Sequence, residues 1–97
     1  MSRDQILALL RQALPELRAK YGLRDLSLFG SVARDEAAPG SDVDVLATYA
    51  GPLTLRAFMG LKADLERRLG TPVDLVTPGA LKPRLRAAIE RDLLRVS

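Results

Sequence analysis

Between two apolar runs the chain reads Leu28-Phe29-Gly30-Ser31, and the second run opens with Asp42-Val43-Asp44. No other stretch constrains the fold as tightly. Leu28 and Phe29 end a strand that Gly30 breaks, Ser31 opens a short helix reaching Ala37, Pro39-Gly40 turns the chain, and Asp42 begins a second strand. Residues at i and i+2 of a strand project from the same face, so Asp42 and Asp44 are expected side by side, with Val43 and Val45 turned to a core. Two anions fixed together on a strand repel unless a positive charge lies between them, and oxygen-only ligands select a hard cation such as Mg2+. The Gly30-Ser31 corner offers free backbone N–H groups and a hydroxyl, a ready site for phosphate. Metal and phosphate together point to phosphoryl or nucleotidyl transfer.

Other chemistries are narrowed by what the chain lacks. It has no cysteine and no histidine, so disulfides, thiolate zinc sites and Ser-His or Cys-His nucleophile pairs are excluded. Catalysis has to use carboxylates, hydroxyls, Lys or Arg, or a metal. A length of 97 residues predicts one domain, spanning 1–97, with one modest core. No apolar run approaches a bilayer span and no signal-peptide pattern opens the chain, so a cytoplasmic protein without membrane attachment is expected. The net charge of +3 is uneven: residues 1–50 carry six basic against seven acidic side chains, residues 51–97 nine against five. The basic excess is either a solvated helix face or a docking surface for a nucleotide, a nucleic acid or an acidic partner.

Periodicity sets the element order. Ser2 and Gln5 have capping-box spacing ahead of a helix with the stripe Ile6, Leu10, Leu14 and Leu17; Pro15 should kink or split it near Leu14, and Gly22 ends it. Arg24 to Phe29 and Asp42 to Thr48 are the first two strands. Thr54 caps a helix to Leu69 whose expected buried stripe is Leu55, Phe58, Met59, the stem of Lys62, Leu65 and Leu69, and Gly70 stops it. Pro72 to Thr77 is a third strand. A last helix is expected from Ala80 to Arg95, with Pro83 in its first turn and Leu81, Leu85, Ala88, Ile89 and Leu93 buried. The order is α-β-α-β-α-β-α, an α/β (α+β) fold with a small mixed sheet of about three strands and flanking helices. The connection between the first two strands is too short for a crossover, so they should be antiparallel, while the longer second connection allows a parallel pair.

The third strand again carries an acid, Asp74. Asp is disfavoured in strands, yet three occur on two of them. Each alone reads as well as an edge residue or a cap. If the strands are neighbours, however, Asp42, Asp44 and Asp74 converge at one end of the sheet beside the helix that starts at Ser31.

At these residues the chain resembles the minimal nucleotidyltransferases, the MNT group of the DNA polymerase β superfamily. The resemblance rests on Gly30-Ser31-x-Ala33-Arg34, Ser41-Asp42-x-Asp44 and Val73-Asp74-Leu75-Val76, and it covers essentially the whole chain. The family often has Gly after the Arg of the first motif, where this chain has Asp35. The resemblance implies that Asp42 and Asp44 bridge two Mg2+ ions, and that Asp74 completes the acceptor-side metal and helps take the hydroxyl proton. It implies that Gly30 lets the backbone approach a triphosphate, and that Ser31 holds its terminal oxygens. Arg34 either meets a phosphate or pairs locally with a carboxylate. The donor implied is ATP. The partner implied is a HEPN-type toxin, adenylylated on a tyrosine by the MNT protein as antitoxin, in an oligomer of the two.

Two other functions remain open on the sequence. The chain could be a non-catalytic antitoxin or protein-binding module that neutralises its partner by contact. It could be a small basic nucleic-acid binder, which ranks last because its four aromatic residues, Tyr21, Phe29, Tyr49 and Phe58, are not interleaved with a basic cluster.

Overall fold

A computed structural model describes residues 1–38 and 40–96, apart from the side chain of Ala88. Four helices flank one mixed sheet: α1 Arg3–Tyr21, β1 Leu23–Phe29, α2 Gly30–Ala33, β2 Val43–Tyr49, α3 Leu55–Leu69, β3 Val73–Val76, α4 Pro83–Asp92 and β4 Leu94–Arg95. The sheet order is β3-β2-β1-β4, with β1–β2 and β1–β4 antiparallel and β2–β3 parallel. Among the described residues no helix is long and apolar enough to cross a membrane.

Local chemistry sets the boundaries. Ser2 and Gln5 form a reciprocal capping box on α1, and Gly22 closes that helix in the left-handed conformation. Thr54 and Gly70 do the corresponding work at the two ends of α3. The core lies between the sheet and the pair α1 and α3: Leu10 and Leu17 meet Leu26 and Leu28 of β1, Val43 and Val45 of β2, and Leu61 and Leu65 of α3, all buried. Each such leucine contributes about 1.5–3 kcal/mol of transfer free energy. Because the buried residues of β2 and β3 alternate (Val43, Val45 and Ala47, then Val73 and Leu75), Asp44 and Asp74 are turned to the opposite face.

Several expectations are corrected. Pro15 does not split α1, which runs unbroken to Tyr21; its missing N–H and ring are accommodated within a helix whose apolar face is buried throughout. The helix after Ser31 is a single turn, because Asp35 takes a left-handed φ of 59° and ends it. Of the turn expected at Pro39-Gly40, Pro39 lies outside the described residues, and Gly40 has φ 82°. The last helix starts at Pro83, not Ala80: a 3-10 turn covers Pro78–Ala80, and the residue before a proline is held extended, as Lys82 is at ψ 150°. It ends at Asp92, not Arg95, and a fourth strand follows. Leu94 pairs with Leu28 and Arg95 with Ser27, Val96 N–H donates to Leu26 O, and Arg11 Nε donates to Val96 O at 2.9 Å.

Two buried stripes also differ. On α4, Ile89 is buried but Leu85 and Leu93 are exposed, and Ala88 lies outside the described side chains. On α3 the buried face is Leu61, Asp64, Leu65 and Leu69, which leaves Leu55 at 78% and Met59 at 53% exposure.

Candidate active site

The register of β2 brings three elements to one point. Asp44 is the direct partner of Phe29 across the antiparallel pair and of Asp74 across the parallel pair. Asp42 lies just before β2, exposed, two residues from Asp44. The three sequence-predicted acids therefore lie toward one end of the sheet, near the end of β1 where Gly30 begins. Gly30 has φ 73°, and a Cβ built on it would run into the Asp44 carboxylate, with Cγ at 3.1 Å. The glycine-serine corner thus rests directly on the central acid, and the half-buried Ser31 follows it in α2.

Electrostatics marks the same residue. Partial burial pushes the Asp44 carboxyl above the ordinary Asp range, and the neighbouring charges of Asp74 and Asp42 and a hydrogen bond to Asp74 push it further; Arg34 acts weakly the other way. Among the described residues no Lys or Arg forms an ion pair with Asp42, Asp44 or Asp74. As placed, no three His, Cys, Asp or Glu side chains among the described residues close into a cluster able to hold a metal ion. The donor set nevertheless fits a hard divalent cation: three carboxylates, all oxygen, mutually repelling and without a protein counter-ion.

Arg34 is oriented away from a bare phosphate role. Its guanidinium reaches Asp92 Oδ2 at 2.7 Å and Glu36 Oε2 at 3.1 Å, so in this structure it pairs locally, with α4 and with its own turn. Asp92 has no signal in the sequence, being 58 residues away on a helix that periodicity alone carries further. Glu66 likewise has no signal in the sequence. Its Oε2 accepts the Val73 N–H at 2.9 Å and the Lys62 ammonium at 3.3 Å, which fixes the start of β3 one residue before Asp74; the backbone hydrogen bond first, then Lys62, holds its carboxyl below the usual Glu range.

The acids line none of the cavities of about 470, 380 and 260 Å3, which border other residues. They stand at the end of the sheet where β2 and β3 begin, Asp42 and Asp74 exposed and Asp44 half-buried. Such an arrangement can orient a phosphate chain at the corner, gather divalent cations at the carboxylates, and receive a proton from an incoming hydroxyl.

Comparison with known proteins gives the same direction. The nucleotidyltransferase domain family matches residues 10–96. Protein adenylyltransferase MntA of Thermococcus cleftensis is 34% identical over 96 residues, 99% of this chain and 97% of that protein. A solved chain provisionally described as a minimal nucleotidyltransferase superposes with a TM-score of 0.81 at 38% identity, over 97% of this chain and 95% of that one. A toxin–antitoxin crystal structure with AMP-PNP superposes with a TM-score of 0.70 at 25% identity, over 100% of this chain and 73% of that one.

Proposed function

This chain belongs to the nucleotidyltransferase domain family, and from that premise we propose that it moves AMP from ATP onto a protein hydroxyl, with Mg2+ as cofactor. The acceptor in this reading is a tyrosine of a HEPN-type toxin, and the chain is its antitoxin. The observation that carries the proposal is the placement of Asp44 in register with Asp74 and in contact with the Gly30 backbone. Metal ligands and a phosphate cradle are useful to nucleotidyl transfer only when adjacent. The name of MntA and the AMP-PNP in the toxin–antitoxin neighbour support ATP as donor and a protein as acceptor.

Gly30 brings main-chain N–H groups up to the triphosphate, and Ser31 adds its hydroxyl and N–H to the terminal oxygens. Asp42, Asp44 and Asp74 would hold the divalent ions. Mg2+, when bound, withdraws charge from the α-phosphate and the departing pyrophosphate and acidifies the acceptor hydroxyl. Asp74, exposed at the outer strand, receives the phenolic proton as the acceptor oxygen bonds to the α-phosphorus. The bond from that phosphorus to the bridging oxygen breaks, and pyrophosphate leaves. Arg34, neutralised by Glu36 and Asp92, braces the turn behind the corner instead of competing for the carboxylates.

The test is direct: the purified chain, MgATP labelled in the α-phosphate, and the HEPN-type protein encoded beside it. Label is expected in that protein with wild type and not with Asp42→Asn. Equal labelling by Asp42→Asn removes the carboxylates from the reaction; a variant that fails to label yet still suppresses toxicity favours neutralisation by contact.

A further inference from the structure

The far end of the sheet carries a second surface. From Asp44 to Tyr49 β2 spans roughly 17 Å at 3.3 Å per residue, and at Tyr49 it meets the start of α3, where the Tyr49 hydroxyl donates to Ala57 O. Beside it lies the cavity of about 470 Å3, lined by Lys20, Tyr21, Thr54, Arg56, Ala57 and Gly60. Gly60 shapes it, since a Cβ there would come within 2.8 Å of Tyr21 Cε1; the glycine lets the phenol ring lie flat on α3 and form one wall. The ring is locked in place by its hydroxyl, which donates to the buried Asp64 at 2.8 Å.

Exposed apolar side chains flank the cavity-lining residues in the sequence. Of the six large hydrophobics exposed among the described residues, three belong to the 53–60 segment that also supplies Thr54, Arg56, Ala57 and Gly60 to the cavity: Leu53 at 47%, Leu55 at 78% and Met59 at 53%. Leu55 and Met59 are one helical turn apart, and Arg56 is one turn from both Met59 and Gly60, so apolar and cationic groups form one continuous stripe. The local charge is in excess. Asp64 is already met by Arg68 at 2.7 Å, Arg67 at 3.1 Å and Lys20 at 3.6 Å, while Arg56 forms no ion pair among the described residues.

We infer that this stripe of α3, with Lys20 and Tyr21 beside it, is where the protein acceptor docks, through a segment that sets a carboxylate between apolar side chains. The apolar rim supplies the burial, and Arg56 over the cavity supplies the counter-charge, a central anchor of the kind that dominates interfaces. A second copy of this chain is the poorer occupant, because a two-fold contact here brings the cationic Lys20 and Arg56 of both copies onto one surface whose 53–60 segment carries no acid. The length of β2 and the sheet itself separate this surface from the acids, so a partner held at α3 leaves them uncovered and has to reach round the sheet with its tyrosine. The inference rests on the reading of a protein acceptor.

The experiment measures affinity and transfer kinetics with the neighbouring HEPN-type protein for wild type, Arg56→Glu and the double variant Leu55→Ser/Met59→Ser. All three substituted side chains are solvent-exposed, so thermal unfolding is expected to stay near wild type. Binding is expected to weaken roughly tenfold or more, with KM for the partner rising and kcat for bound partner retained. Wild-type affinity in both folded variants overturns the docking surface while leaving the transfer reaction standing. Unchanged labelling by Asp42→Asn overturns the transfer reaction whatever α3 does. If wild type neither binds nor labels the partner, the acceptor and the surface fall together.

Discussion

The Asp44 carboxylate fills the space that any side chain at position 30 would need. Gly30 is therefore required twice over, by its φ of 73° and by its neighbour. Gly30→Ala is expected to cost roughly 1–2 kcal/mol for the left-handed backbone alone, and to displace the central acid. Urea unfolding reads the first effect; transfer activity, expected to fall by roughly a hundredfold, reads the second.

Asp44 opposes the stability of the fold at neutral pH. Its carboxyl is raised by burial and by Asp74 and Asp42, so folding holds its proton more tightly than the unfolded chain does. Stability then falls as pH rises from the ordinary Asp value, about 4, through the raised folded value. Asp44→Asn is expected to melt higher than wild type at neutral pH, with the gap closing in acid below the ordinary value, while transfer is lost. A thermal melt series across pH checks the sign.

Asp64 behaves in the opposite sense. Burial alone would raise its carboxyl, but the hydrogen bonds from Arg68 and Tyr21 and the charges of Arg68 and Lys20 outweigh it and hold it low. Its contribution is present above the ordinary Asp value and is lost as pH falls through the lower folded one. Asp64→Ala is expected to destabilise by about 3 kcal/mol near neutrality, less in acid. Denaturant midpoints at two pH values test this.

Asp35 stands in a left-handed turn at φ 59°, the conformation that glycine adopts at least cost. Asp35→Gly is expected to leave transfer intact and to stabilise by up to about 1 kcal/mol, the relief of strain partly offset by the greater freedom of the unfolded chain.

Much of this was legible beforehand because it is local. Ser2, Gly22, Thr54 and Gly70 mark helix ends by their own side chains or backbone freedom, and the alternation of Val43 and Val45 with Asp44 fixes which face of β2 is wet. The pairing of Asp44 with Asp74 followed from strand adjacency. What escaped depended on distant partners. Helical spacing puts Leu55 and Met59 on an apolar stripe, but Asp64, paired with Arg68 and hydrogen-bonded by Tyr21, takes a place in the interior and turns α3 the other way. Leu94 and Arg95 leave helical geometry because β1 has an unpaired edge and Arg11 binds the carbonyls beyond it. Periodicity within one segment carries neither fact.

The four-residue ladder between β2 and β3 has a hereditary consequence. Deleting one residue between Gly70 and Val73 would slip the outer strand by a single step, sinking Asp74 among leucines while lifting a valine into water. Architecture and chemistry share one register there, so lineages carrying this domain are expected to keep the length of that short link invariant.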